Sequence, residues 1–145
     1  MRIAIHEAKL AQDAGEVPIG AVIIDSKNNI ISRGRNMTRE LSDPTAHAEI
    51  VAIRRACNSL NSERLMECSI YVTLEPCPMC ASAISAAHIK NLFYGASDPK
   101  SGGVERGPKI FSQKQTHFKT SIFHGFYEEE ISKTMKDFFL SLRRS

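Results

Sequence analysis

Residues 70–80 are Ile70-Tyr71-Val72-Thr73-Leu74-Glu75-Pro76-Cys77-Pro78-Met79-Cys80. Within this stretch, the pattern of side chains changes from that of a strand to that of a helix. In its first half, apolar and polar side chains alternate, which is the pattern of a half-buried strand. In its second half, the two prolines suit the entry of a helix, because proline at the first helical positions sacrifices no hydrogen bond. Cys77 and Cys80 are three residues apart at that helix start, so their side chains share one face. The stretch predicts a strand that runs directly into a helix carrying two thiols.

Similar patterns predict the other elements of the chain. Strands are predicted at 19–25 and 30–35, joined as a hairpin, at about 89–95, and at 121–124. Helices are predicted at about 1–14, 46–59 and 78–87, and a terminal helix has an apolar stripe formed by Ile131, Met135, Phe138, Phe139 and Leu142. Residues 97–120 are predicted to form an irregular, exposed loop. Strands that alternate with helices favour a layered α/β sheet covered on both faces, in one domain spanning residues 1–145.

Composition narrows the class of protein. The 145 residues are 42% hydrophobic and 24% charged, values typical of a soluble globular domain. No apolar run approaches the roughly 20 residues that span a bilayer, and residues 1–7 lack the pattern of a secretory signal. We therefore expect no membrane association and a cytoplasmic location. The net charge of +3 permits a nucleic-acid partner without arguing for one.

The four cysteines fall into two groups. Cys57 and Cys68 lie apart from each other, and we expect both to be buried, unreactive thiols. Cys77 and Cys80 form a Cys-x-x-Cys pair at a helix start, where the helix dipole favours thiolates. Such a pair is compatible with metal binding and also with a thioredoxin-like redox function.

The sequence His47-Ala48-Glu49 supplies the remaining chemistry. In the middle of a helix, positions 47 and 49 would point about 200° apart. Both can serve one site only if the N-terminal end of that helix is directed at the site. The preceding Asp43-Pro44-Thr45 is a start signal that places His47 in the first turn. Two helix starts are thus predicted to converge, each just beyond a strand.

One imidazole and two thiolates are ligands that zinc prefers. Structural zinc sites usually have four protein ligands, whereas catalytic sites have three and leave one position for water. His47, Cys77 and Cys80 with Glu49 as general acid/base therefore favour a hydrolytic site. A closed structural site stays open as an alternative, and so does iron in place of zinc. The histidines formally available as a fourth ligand are His88, His117 and His124.

Together, H-x-E and P-C-x-x-C resemble the signature of zinc-dependent nucleoside and nucleobase deaminases. Segments along nearly the whole chain resemble the bacterial tRNA-specific adenosine deaminases. These segments are Glu16-Val17-Pro18-Ile19-Gly20-Ala21-Val22, Asp43-Pro44-Thr45-Ala46-His47-Ala48-Glu49, Tyr71-Val72-Thr73-Leu74-Glu75-Pro76-Cys77 and Asp137-Phe138-Phe139.

The resemblance implies a three-layer α/β/α cytidine-deaminase-like fold with a central mixed sheet of about five strands. It implies one Zn²⁺ per subunit, a homodimer, and hydrolysis of adenosine to inosine at wobble position 34 of a tRNA anticodon, in this family an arginine tRNA. It assigns zinc to His47, Cys77 and Cys80, and proton transfer to Glu49. The implied substrate contacts are Asn36 on the base edge, the backbone of Ala48, and an apolar wall of Pro18 and Ile19. From the sequence alone, Asn36 is equally compatible with a turn at a strand end.

The sequence indicates the contacts with the anticodon stem-loop less specifically than it indicates the metal site. Basic residues cluster in the loop and at the last helix, namely Lys100, Arg106, Lys109, Lys114, Lys119, Arg143 and Arg144. They are compatible with phosphate binding and with an ordinary solvated surface. Residues 97–115, including Gly102-Gly103-Val104-Glu105 and Ile110-Phe111, resemble alphaproteobacterial members of the family more than enterobacterial ones.

Two other functions remain compatible with the pattern. One is a deaminase of a free base or nucleotide, such as guanine or a cytosine derivative, which would share the zinc signature. The other is a zinc-stabilised RNA-binding or scaffold protein without catalysis. Glu49 separates this last hypothesis from the others, because a closed structural site has no use for it.

Overall fold

A five-stranded mixed sheet forms the centre of the computed structural model, which describes residues 1–144. The strands are β1 (Gly20–Ile24), β2 (Ile30–Arg35), β3 (Ser69–Leu74), β4 (Asn91–Ala96) and β5 (Ser121–His124). Their order in the sheet is β2-β1-β3-β4-β5. β1 is antiparallel to both neighbours, whereas β3, β4 and β5 are parallel. The predicted mixed sheet of about five strands is confirmed.

Within residues 1–144, four helices cover the sheet. They are α1 (Arg2–Asp13), α2 (Ala48–Leu60), α3 (Pro78–Ala86) and α4 (Glu128–Arg144), and a short 3₁₀ turn spans Ile110–Ser112. α1 packs on the sheet face that carries Gly20, and α4 packs on the same face at Gly95. α2 lies on the opposite face, against Gly34, beside α3. The result is the predicted three-layer α/β/α arrangement.

Close packing fixes the position of α2 relative to the sheet. A Cβ atom built on Gly34 would lie 2.4 Å from the backbone oxygen of Ala48 and 2.7 Å from the nitrogen of Ala52. Small residues at this contact therefore let the start of α2 approach β2. The main core cluster includes Ala48 and Ala52 with Val72 and Tyr94 of the sheet. The helix start at Ala48 is thus tied directly to the core.

Residues 97–120 differ from the prediction of a uniformly exposed loop. Gly102, Gly103, Val104, Phe111 and Thr120 are buried, and Val104 and Phe111 join the main core cluster. The prediction failed because the polar and glycine-rich composition conceals two apolar anchors that fold the segment back onto α3. The basic residues at 100, 106, 109, 114 and 119 are exposed, as predicted.

Two further expectations need correction or refinement. Cys68 is buried, but Cys57 is only partly buried, because it packs at the margin of the core cluster near the end of α2. In the stripe of α4, Ile131 and Phe138 are buried, whereas Phe139 is 43% exposed. In the part of the chain that the structure describes, no helix has the length and apolar character needed to cross a membrane.

Candidate metal and active site

Two helix starts meet at the carboxyl end of β3. His47 is the N-cap of α2 and Cys77 is the N-cap of α3, and both have extended backbone dihedrals. His47 was predicted within the first turn and instead lies one position before the helix. The side chain of Asp43 organises this entry by accepting hydrogen bonds from the Thr45 backbone at 2.8 Å and the Thr45 hydroxyl at 2.7 Å. The capping turn therefore brings His47 to the end of the helix that faces the sheet edge.

The structure brings the three predicted ligands together. Nδ1 of His47 lies 3.6 Å from Sγ of Cys77 and 3.5 Å from Sγ of Cys80. All three ligand atoms lie within 4.8 Å of one another. Zn–N bonds of about 2.0 Å and Zn–S bonds of about 2.3 Å in a tetrahedron separate N from S by about 3.5 Å. The donor set and its spacing therefore fit one tetrahedral metal ion with one position left free.

The two thiols are electrostatically unequal. The pKa of Cys77 falls to about 4, first because the Cys80 thiol donates a hydrogen bond to it and then because His47 lies beside it. The same hydrogen bond, together with burial, raises the pKa of Cys80. The pair therefore holds one thiolate readily, and a cation between the sulfurs would be needed to stabilise two.

Glu49 lies next to this cluster without belonging to it. Its side chain is 4% exposed, and burial raises its pKa to about 7. The neighbouring Cys77 raises it further, whereas His47 lowers it. Among the described residues, the group able to hold a metal comprises His47, Cys77 and Cys80 and excludes Glu49. A buried carboxyl group that titrates near neutrality is suited to take up and release a proton.

The histidines that could have closed the site lie elsewhere. His88 stacks on Phe118 with ring centroids 4.6 Å apart, and His124 stacks on Tyr94 at 5.3 Å. His117 lines a separate cavity that also includes His88. The geometry therefore favours a three-ligand site over a closed structural one.

An open cavity of about 610 Å³ gives access to the cluster. Most of the predicted site residues contribute to its wall, together with residues of the loops after β2 and β4 and of α4. The lining residues are Val17, Ile19, Asn36, Thr38, His47, Ala48, Glu49, Leu74, Glu75, Cys77, Ser97, Asp98, Pro99, Lys100, Ser101, Ser132, Met135 and Phe139.

One predicted substrate contact does not reach this cavity. Ile19 lines it, but Pro18 is almost completely buried and lines a separate cavity with α1 and α4. Successive side chains on an extended segment point to opposite sides, so Val17 and Ile19 face the cavity and Pro18 faces away. The apolar wall is therefore Val17 and Ile19.

Asn36 is 6% exposed and lies on the cavity wall. Its backbone nitrogen donates to the Ile19 oxygen at 3.1 Å, and its side-chain oxygen accepts a long bond of 3.4 Å from the Thr38 nitrogen. Among the described residues, the side-chain amide makes no other hydrogen bond. This amide is therefore placed to bind a polar edge of a ligand.

Two buried carboxylates were not predicted as functional residues. Glu16 is 1% exposed and accepts hydrogen bonds from the backbone nitrogens of Arg39 and Glu40. Glu75 is 2% exposed and accepts four backbone hydrogen bonds from residues 98–106. The sequence signal that could have found them is an acidic residue close to the end of an apolar strand. Glu75 directly follows the strand ending at Leu74, and Glu16 lies shortly before the strand beginning at Gly20. Each carboxylate fixes a loop that borders the cavity.

The fold and the site define a deaminase. Residues 1–143 match the family model of the MafB19-like deaminases. A tRNA-specific adenosine deaminase of Agrobacterium fabrum is 49% identical, with 99% of this chain and 93% of that protein covered. A solved structure from a study of A-to-I editing by tRNA:A34 deaminases has 50% identity and a TM-score of 0.90, with 92% and 96% of the two chains covered. The chain belongs to the family of tRNA-specific adenosine deaminases.

A guanine deaminase of Bacillus subtilis is more distant. Its structure has 36% identity and a TM-score of 0.64, with 72% of this chain and 77% of that chain covered. The likeness to the tRNA-specific enzymes is greater in every one of these measures. The comparisons therefore favour the tRNA deaminases over the free-base deaminases.

Proposed function

We propose that this chain hydrolyses adenosine to inosine at position 34 of a tRNA anticodon and releases ammonia. The observation that carries the proposal is the buried carboxyl group of Glu49 beside the three-ligand cluster, at the bottom of a cavity lined by Asn36. The near full-length likeness to tRNA-specific adenosine deaminases supports adenosine in tRNA as the substrate.

The metal in this proposal is Zn²⁺, one per subunit, held by Nδ1 of His47 and the sulfurs of Cys77 and Cys80. When bound there, zinc supplies a Lewis acid that lowers the pKa of a water molecule in the remaining position. The N–S distances of 3.6 and 3.5 Å and a donor set of one imidazole and two thiolates support zinc as the metal.

Glu49 is the proton carrier of the reaction. It accepts a proton from the attacking water and delivers it to N1 of the adenine. It then takes the proton of the new hydroxyl group at C6 and passes it to the amino nitrogen, so that the C6–N bond breaks and inosine and ammonia are formed. A pKa of about 7 suits both directions of transfer at neutral pH. The burial that raises this pKa also keeps bulk water from competing for the proton.

The cavity wall binds the base. Asn36 offers both a donor and an acceptor to the purine edge, and Val17 and Ile19 give an apolar surface for its ring. Ala48 is fully buried next to Glu49 on this wall, where its backbone is available for a further hydrogen bond. An anticodon loop can present an unstacked base to such a cavity, because single-stranded loops splay their bases outward.

The assembly and location follow from the family and the chemistry. We propose that the chain acts as a homodimer in the cytoplasm, with an arginine tRNA as substrate. Two thiolate ligands remain available to a metal in a reducing compartment, where disulfides do not persist. Size-exclusion chromatography with light scattering tests the homodimer directly.

Inosine formation on a synthetic stem-loop tests the proposed activity. The metal-loaded protein is incubated with an anticodon stem-loop carrying A34, with the same stem-loop carrying G34, and with free guanine, adenosine and cytidine. We expect inosine and stoichiometric ammonia from the A34 stem-loop alone. Ammonia from guanine or cytidine without inosine in the RNA would contradict the proposal and support a free-base deaminase. Tight RNA binding with a full metal site and no ammonia from any substrate would support a scaffold function.

A further inference from the structure

The carboxylate of Glu75 is the centre of a dense set of hydrogen bonds outside the metal cluster. Oε1 accepts a bond from the backbone nitrogen of Asp98 at 3.0 Å. Oε2 accepts three, from the nitrogens of Val104 at 3.1 Å and of Glu105 and Arg106 at 3.0 Å each. Both oxygens thus accept hydrogen bonds from one segment, residues 97–106, which we call the wall segment.

The backbone of the wall segment lies directly on this carboxylate. A Cβ atom built on Gly102 would lie 2.5 Å from Cδ and 2.6 Å from Oε2 of Glu75. A Cβ atom on Gly103 would lie 2.5 Å from the nitrogen of Pro78, and the Gly103 nitrogen donates to the Pro76 oxygen at 2.8 Å. The two glycines therefore allow a contact that no other residue permits.

The wall segment also forms part of the open cavity, which Glu75 itself helps to line. Residues 97–101 all line it, together with Asn36 and Ala48. Lys100 is the basic residue of this stretch, and its side chain is exposed at the cavity. The predicted cations at 106, 109, 114 and 119 are exposed but are not among the lining residues. Of the loop cations, Lys100 is therefore the one that a substrate in the cavity meets.

We propose that Glu75 is a positioning residue for the RNA substrate, which holds residues 97–101 in place so that Lys100 meets a phosphate next to the target adenosine. This inference rests on the proposed function and deepens it. Glu75 lines the cavity and lies outside the metal cluster. Both of its carboxylate oxygens accept hydrogen bonds from the wall segment, so we place its effect on the substrate in the position of that segment. A backbone held by four hydrogen bonds to one charged group loses its place when that group can no longer accept all four.

The variant Glu75→Gln removes part of the acceptor capacity without changing the shape of the side chain. An amide has one oxygen and one NH₂ group, and the NH₂ group cannot accept a bond from a backbone N–H. The variant must therefore lose either the hydrogen bond from the Asp98 nitrogen or the hydrogen bonds from the nitrogens of residues 104–106. Glu63→Gln is the matched control, because Glu63 is an exposed carboxylate in another loop.

KM and kcat for the A34 stem-loop are measured separately for the wild type, Glu75→Gln, Lys100→Ala and the double variant, with zinc content determined on each sample. We expect Glu75→Gln to raise KM about tenfold, with kcat within about twofold and zinc at one per chain. Lys100→Ala should raise KM by a similar factor. The KM of the double variant should be no higher than that of Glu75→Gln alone, because the displaced wall segment has already moved Lys100 away from the substrate.

Gly102→Ala gives an independent test that keeps the carboxylate. Its Cβ atom pushes the wall segment off Glu75, so KM should rise again while zinc content stays unchanged. The proposal is overturned if KM stays at the wild-type value in Glu75→Gln or Gly102→Ala. It is also overturned if the increases in KM from Lys100→Ala and Glu75→Gln combine in full in the double variant. Loss of zinc or of folded protein in Glu75→Gln also overturns it, since Glu75 would then support the whole fold. A wild type that makes no inosine contradicts the proposed function instead.

Discussion

Nδ1 of His47 lies 3.5 Å from Sγ of Cys80, although 33 residues separate them in the chain. The approach results from two strand-to-helix connections, one after β2 and one after β3. Both strands are antiparallel to β1, so the two connections leave the same edge of the sheet. Neither helix would present its ligand if it began one turn later. The cluster is therefore a product of where α2 and α3 start.

Replacing Cys80 by serine should remove the metal. A hydroxyl group is a poor substitute for a thiolate, and the two remaining ligands cannot hold zinc tightly. We expect zinc content to fall from about one per chain to less than about a tenth, with loss of deamination. Elemental analysis of the purified variant checks this. Cys57→Ser, which alters a thiol outside the cluster, should keep the metal, and a fully loaded Cys80→Ser variant would contradict the assigned ligands.

Glu49→Gln should separate metal binding from catalysis. The amide preserves size and burial but cannot carry a proton, so we expect kcat to fall by about 10³-fold with zinc content unchanged. Rates of inosine formation and elemental analysis on the same sample measure both effects. The exposed Glu63→Gln serves as the control. Substantial activity in Glu49→Gln would show that another group moves the proton.

The sequence predicted the elements well because local patterns and packing agree in this chain. The alternation in residues 70–75, the turn at Asp43-Pro44-Thr45 and the prolines around Cys77 each act within a few residues. The clustering of His47, Cys77 and Cys80 also followed from local features, since both helix starts are marked in the sequence.

The parts that were missed depend on contacts between distant residues. Nothing in residues 97–120 shows that Val104 and Phe111 pack on the core, because their partners lie in other elements. The role of Glu75 likewise depends on backbone groups more than 20 residues away. Pro18 was placed on the wrong wall because the pattern of an extended segment does not show which of its two sides faces the cavity.

Asn36→Ala should weaken binding of the base. The side chain is buried on the cavity wall, and loss of its hydrogen bonds to the purine should cost about 1–3 kcal/mol in kcat/KM. Kinetics on the A34 stem-loop measure this loss, with Asn58→Ala, an exposed position on α2, as the control. An unchanged kcat/KM would assign Asn36 to the turn after β2 alone.

Gly34→Ala should destabilise the fold and disturb the site together. The added Cβ atom would lie 2.4 Å from the Ala48 oxygen, so the start of α2 must move away from β2. Overpacking of this kind costs about 1–3 kcal/mol, which corresponds to a fall in Tm of roughly 3–10 °C. Thermal unfolding and kcat measure the two effects. Ser59→Ala, at the exposed end of the same helix, should leave both unchanged, and a wild-type Tm for Gly34→Ala would contradict the close contact.

Alkylation of the metal-free protein should single out Cys77 by its pH dependence. Its pKa is lowered to about 4, so the thiolate predominates at every pH above that value. Burial raises the pKa of Cys57, so its thiolate fraction increases as the pH rises. Between about pH 6 and pH 8, the rate of iodoacetamide modification should stay nearly constant at Cys77 and climb steeply at Cys57. Peptide mass spectrometry follows each site separately. A parallel rise at both cysteines would show that Cys77 is an ordinary thiol, whereas protection of Cys77 by added zinc would tie its reactivity to the metal site.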